Sequence, residues 1–223
     1  LPPGATRADV AVTLAATVDD GATAVELLLG AVEDAKDAPG LASFAQTLLA
    51  DALTTTDLDA AIVLLDTAVS TAVEPGDRID ALMSRARIAL LTAEFEAGAA
   101  DADEATGLYF RHRCHRGVAL GATLASELLE LAGDIDESVE RARTAVRASE
   151  RASDDEDDED IARVLFQLGF VLAEAERAPE AVPVLRRAAD IEAAVLADDP
   201  ESRAVTLLAL ADALVDSDAP HEA

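Results

Sequence analysis

Two stretches of the chain gather the residue types that do chemistry. The first, RHRCHR from Arg111 to Arg116, holds two of the three histidines, the only cysteine and three of the sixteen arginines. Imidazole nitrogens and a thiolate are zinc ligands, and on a continuous helix His112 and His115, at i and i+3, would lie close enough to share an ion. Cys114 would stand about 100° away around that helix. Two ligands do not make a site, and no other histidine is near in sequence. The stretch is therefore expected to be a charge-balancing connector whose arginines meet acids or the carbonyls of a helix C-terminus. Its functional alternative is a basic spot, Arg111, Arg113 and Arg116, for an acidic partner segment.

The second stretch is SDDEDDED, residues 153–160. A calcium loop needs alternate ligands around a turning glycine, which is missing here. Ser153 and Glu156 instead form an S-x-x-E capping box, and acids suit a helix N-terminus, so a solvated loop leading into a helix is expected. Phosphate-loop, dinucleotide, H-E-x-x-H and G-x-S-x-G motifs do not occur. With 45 acids in the chain, juxtaposed carboxylates carry no information about acid–base catalysis. The chain is expected to be non-catalytic and to use no cofactor or metal. The remote alternative, a metal-dependent enzyme, would rest on His112, His115 and nearby acids.

The elements that must position any such residues follow from composition. At 51% hydrophobic content the 223 residues can bury a substantial core despite a formal net charge of −28. Aromatics make up 3%, Trp is absent and alanine supplies 51 residues, so the core must be Leu, Val and Ala, which favours closely packed helices over a sheet. Lys36 is the only lysine. A high-salt cytoplasm or a GC-rich genome would each account for the acidity. Such a surface repels phosphates, which excludes nucleic acid and anionic membranes as partners. No apolar run is long enough to span a bilayer and no secretory signal is visible. One cysteine points to a reduced, cytoplasmic setting. The absence of an initial Met leads us to expect a piece of a longer protein.

Apolar residues recur at helical spacing almost everywhere, as in AVELLLGAVEDA and VLFQLGFVLAEA, and no useful segment alternates with period two. Breaks are expected at 37–40, 74–77, around Thr106 and Gly107, and at 132–134, 153–160, 176–179 and 198–200. Within this punctuation small residues recur at Ala24, Ala61, Gly98, Ser138 and Ala181. Four residues later stand Leu28, Leu65, Ala102, Ala142 and Leu185, and seven later Ala31, Ala68, Ala105, Ala145 and Ala188. Those spacings place all three columns on one helix face. The anchors lie 37, 37, 40 and 43 residues apart, and a further 42 reaches Ala223. The same 42 carries Leu165, Leu168, Gly169 and Leu172 onto Leu207, Leu210, Ala211 and Leu214.

This pattern resembles the tetratricopeptide repeat (TPR), most fully through Leu165, Leu168, Gly169, Leu172, Ala181, Leu185 and Ala188. Other repeats depart from it, with Arg85 where Leu is expected and Ser138 in place of Ala. The period exceeds the usual TPR length and is similar to the long-repeat arrays of kinesin light chains and bacterial signalling proteins. HEAT and armadillo pairs have overlapping periods, but the spacing from Leu168-Gly169 to Ala181 argues against them. The resemblance implies an all-α, right-handed α-solenoid of about five and a half antiparallel helix pairs. It would be one array, with repeats 1–38, 39–76, 77–113, 114–157, 158–199 and an incomplete 200–223. RHRCHR would then join the third and fourth pairs, with Tyr109 and Phe110 covering the joint.

The resemblance also implies a protein- or peptide-binding scaffold or sensing module, with the groove lined by the first helix of each pair. Carried over position by position, that groove would offer Asp80, Met83 and Arg87, then Thr123, Glu127 and Glu130, then Arg163, Phe166 and Phe170. The Lys and Asn positions of the family's carboxylate clamp fall on other residues, which disfavours chaperone C-termini as partners. Phe166 and Phe170, at i and i+4, are the natural anchor for a peptide, and core filling is their alternative role. The alternative function is a regulatory segment docking intramolecularly on an attached enzyme or DNA-binding domain.

Overall fold

Alanine loses no side-chain freedom on entering a helix, so this chain forms helices wherever a capping acid, a proline or a left-handed residue does not interrupt it. The computed structural model describes residues 3–18, 20–153, 158–195 and 200–218. Among them are eleven helices and no strand. They are α1 (Pro3–Ala15), α2 (Gly21–Asp34), α3 (Pro39–Leu53), α4 (Leu58–Thr71), α5 (Pro75–Thr92), α6 (Phe95–Arg111), α7 (His115–Ala132), α8 (Ile135–Ala152), α9 (Glu159–Glu174), α10 (Ala178–Val195) and α11 (Pro200–Asp218). The carboxylates of Asp20 and Asp57 each accept a backbone N–H of the following first turn at 3.1 Å, and Pro39 and Pro75 open α3 and α5, where a missing N–H costs nothing.

Several helices end on a left-handed residue. Gly133 does so after α7 with φ 88°, while Ala93, Arg113 and Glu176 adopt φ 58°, 56° and 56° without being glycine. After α6 the Cys114 N–H reaches the Tyr109 carbonyl and the Arg113 N–H the Phe110 carbonyl, both at 3.0 Å. That pair of bonds is a Schellman motif, which satisfies carbonyls that the helix end would otherwise orphan. Two expectations fail here. Helix α6 runs unbroken through Thr106 and Gly107, because a single glycine is tolerated inside a helix whose other positions are sound and Thr106 Oγ1 bonds back to the Ala102 carbonyl at 2.7 Å. Ser153 does not open α9 but closes α8 as its C-cap. The N-cap of α9 is Asp158, which accepts the Asp160 N–H at 2.8 Å; hydrogen bonds from Ser153 and then from that N–H hold its carboxyl below the usual range. Glu156, the rest of residues 154–157 and Ala223 lie outside the described residues.

The chain divides into two compact units, Leu1–Leu108 and Tyr109–Ala223. In the first, α1 packs on α2 and α3 on α4, around Leu28, Ala31, Ala45 and Leu49 and a second cluster of Ala50, Ala61, Leu65 and Ile88. In the second, α7 packs on α8, and α9 and α11 both pack on α10. Val139, Leu165, Val171, Leu172 and Leu185 are at the centre of its core. The three columns of the repeat pattern are buried throughout, except for half-buried Ala24. Small residues there let helix axes approach at the short end of the usual interaxial range. On the facing first helix Gly169 marks a close approach of the same kind, since a Cβ on it would overlap Leu185.

The departures from the pattern are compensated by polar contacts. The Arg85 guanidinium donates to both carboxylate oxygens of Asp101 on α6, at 2.6 and 2.8 Å, and to Asp66 on α4 at 2.8 Å. A bidentate, charge-assisted fork thus stands where an apolar contact was expected. Ser138 Oγ, fully buried, donates to the Ser126 carbonyl at 2.7 Å. Positions that α10 covers on α9 are more open on α11, where Leu207 is 50% and Leu214 36% exposed.

Candidate functional site

Helix α9 buries Ile161, Val164, Leu165, Leu168 and Leu172. What remains uncovered beside that face is Arg163, Phe166, Gln167, Phe170 and Glu174, whose spacings of three, four and seven form a second stripe. The Phe166 and Phe170 rings lie 6.2 Å apart with their planes inclined by 31°. Both are half-buried, their inner edges packed on the core of the second unit. They therefore pack on the core and still leave part of the pair exposed.

Helices α7 and α11 touch α9 on either flank. From α7 come Thr123, Glu127 and Glu130. Thr123 turns its hydroxyl to the Ala119 carbonyl at 2.9 Å, and Glu130 accepts a hydrogen bond from Gln167 Nε2 at 3.2 Å. From α11 come Ala209, Asp212, Ala213, Val215 and Asp216, which with Phe170, Ala173 and Glu174 enclose a groove of about 400 Å³. Burial pushes the Glu127 carboxyl above its usual range, Glu130 pushes it further and Arg163 opposes both. Glu130 is raised by burial and by Glu174, with the Gln167 hydrogen bond acting against them. These carboxylates are partly desolvated and stand near their own kind. Arg163 offsets part of this for Glu127, and its guanidinium also donates to Asp160 at 2.8 Å.

The other residues picked out in the sequence lie elsewhere. Arg87 is an exposed residue of α5 in the first unit and donates to Ser84 Oγ at 2.9 Å. Asp80 on the same helix has its carboxyl raised by burial and by Asp77. Met83 is buried and belongs to the core. Arg111 ends α6, Arg113 is the left-handed residue of the Schellman turn, and exposed Cys114 is the N-cap of α7. His112 and His115 thus do not share a helix, so the i, i+3 geometry considered for a shared metal does not form. Among the described residues no three His, Cys, Asp or Glu side chains converge to hold an ion. Arg116 pairs with Asp160 at 3.1 Å, linking the first turns of α7 and α9. Tyr109 packs against Val118 and over Gly117, where a Cβ would overlap its ring. Phe110, expected to help cover this joint, is 66% exposed.

Sequence reading missed Gln167, Glu174, Asp212 and Asp216. A signal existed: Glu174 follows Phe170 by four residues, and Asp212 and Asp216 are themselves four apart, so each extends a stripe along its helix.

No protein-family profile matches the sequence, and no curated protein matches it. Solved structures do. BtubC (BKLC) from P. vanneervenii superimposes with a TM-score of 0.72 at 21% identity, over 84% of this chain and 79% of that one. A Podosopora anserina kinesin light chain with nearly identical TPR-like repeats gives 0.70 at 15%, over 87% and 99%. The apo form of RapI gives 0.73 at 11%, over 89% and 74%. The fold is a TPR-like repeat array. In TPR terms α7, α9 and α11 are first helices of successive pairs, so the aromatic and acidic stripe lies on the face that such helices share. No helix among the described residues of this TPR-like chain is long and apolar enough to cross a membrane.

Proposed function

We propose that the chain is a non-catalytic module that binds a protein or peptide segment along its first-helix face, in a cytoplasmic setting. As part of the same reading, the six divisions expected from the sequence form one array. Glu127, Arg163, Phe166 and Phe170 make the central contacts, Arg87 belongs to the same face of its own unit, and Arg111, Arg113 and Arg116 serve as a connector. The observation that carries this reading is the half-buried Phe166–Phe170 pair beside a groove of about 400 Å³. Aromatic side chains give a large contact area for little lost side-chain freedom, and a rigid helix holds them ready for a partner.

Short random peptides displayed on phage and selected against the whole chain test the proposal. The wild type should enrich peptides sharing an apolar anchor, and the F166A/F170A variant should lose that enrichment while keeping its helical circular dichroism. Equal enrichment by a folded double variant would overturn the groove assignment.

A further inference from the structure

Resting on the groove reading above, we infer that the bound segment is cationic: a peptide with lysine or arginine side chains set around an apolar anchor. Glu130 of α7, close enough to be raised by Glu174, and its neighbour Glu127 border the first-helix face, and the groove itself takes carboxylates from two helices, Glu174 from α9 and Asp212 and Asp216 from α11. Between them lies an apolar floor of Phe170, Ala173, Ala209, Ala213 and Val215. Among the described residues the groove lining holds no Lys or Arg, and Arg163 on the same helix is already engaged by Asp160. An acidic segment would meet like charge on both walls, an arrangement that repels it. A neutral apolar segment would cover the carboxylates without pairing them, which burial penalises. A lysine or arginine avoids both costs. Its aliphatic stem can lie along Phe170 while its head reaches a carboxylate, and the ring face itself attracts a cation.

The chain's formal net charge of −28 would draw any cation weakly, so the test needs a control with matched charge. Three labelled synthetic peptides sharing the same apolar anchor, with Lys/Arg, Gln or Glu at the flanking positions, are titrated with the whole chain by fluorescence anisotropy near physiological salt. The basic peptide should bind tightest, and D212N/D216N should weaken it by about tenfold. D136N/E137Q, which removes the same charge from exposed positions in the first turn of α8, outside the groove lining, should leave it within about twofold, because salt screens exposed charges that do not touch the peptide. If the neutral or acidic peptide binds as well as the basic one, or if the control weakens binding equally, the cationic assignment falls and the peptide groove stands. If none of the three peptides binds with any dependence on Phe166 or Phe170, the groove reading itself fails.

Discussion

Arg85 holds two carboxylates at once, Asp101 through a fork and Asp66 through a single bond. The Asp101 side chain is 14% exposed, so removing the guanidinium leaves a poorly hydrated charge without its partner. The cost of such an orphan is about 1–3 kcal/mol, and R85A should lose that much in chemical denaturation. Replacing both members of a pair by apolar groups of similar shape is often close to neutral. R85L/D101L should therefore recover most of the loss, since it restores the leucine that the repeat pattern expects; a double variant as unstable as R85A would show that no apolar contact is available there. The mismatch at position 85 was legible in the sequence, but its solution was not, because Asp66 and Asp101 are 19 and 16 residues away and only packed helices bring them together. The same holds for Ser138, whose hydroxyl is acceptable in a buried crossing because Ser126 accepts it.

At the scale of the helix, two glycines differ in what surrounds them. Gly107 in α6 has open space where a Cβ would go, whereas Gly169 in α9 has Leu185, which is fully buried and cannot swing away. Alanine gains up to about 1 kcal/mol over glycine in a helix interior, while overpacking a tight contact costs about 1–3 kcal/mol. Thermal or chemical denaturation should therefore find G107A stabilised by about 0.5–1 kcal/mol and G169A destabilised by about 1–2 kcal/mol net. A neutral or stabilising G169A would mean that α9 can move away from α10, and with it Phe166 and Phe170. Sequence reading took Gly107 for a break and put Arg113 in the connector without singling it out, although Arg113 is the residue there that turns left-handed. Arginine carries no propensity signal for that conformation, and what selects it is a Schellman turn followed at once by α7. The buried columns of the second helices were legible because spacings of four and seven mark one face whatever that face packs against.

For the whole molecule the dominant quantity is charge, 45 acids against 17 lysines and arginines. Exposed pairs such as Arg7–Asp34 and Arg163–Asp160 each contribute at most about 1 kcal/mol, too little to offset the repulsion of the remaining carboxylates. Screening shortens from about 30 Å at 0.01 M salt to about 3 Å at 1 M, so the melting temperature should rise steadily over that range. A flat profile would show that the surface acids are spaced widely enough not to repel, and would favour codon usage over high-salt adaptation as their origin. By itself the sequence determined the helical class, the paired repeats and the residues buried in each pair, because periodicity and small-residue columns are local properties of one helix. It also placed Glu127, Arg163, Phe166 and Phe170 on first helices. Only the tertiary structure decided that α9 touches both α7 and α11, that Gln167 reaches Glu130, that Glu174, Asp212 and Asp216 line one groove, and that the histidines of RHRCHR are parted by a helix end. Those facts depend on which helix lies beside which, and an interhelical neighbour leaves no mark on the periodicity of either helix.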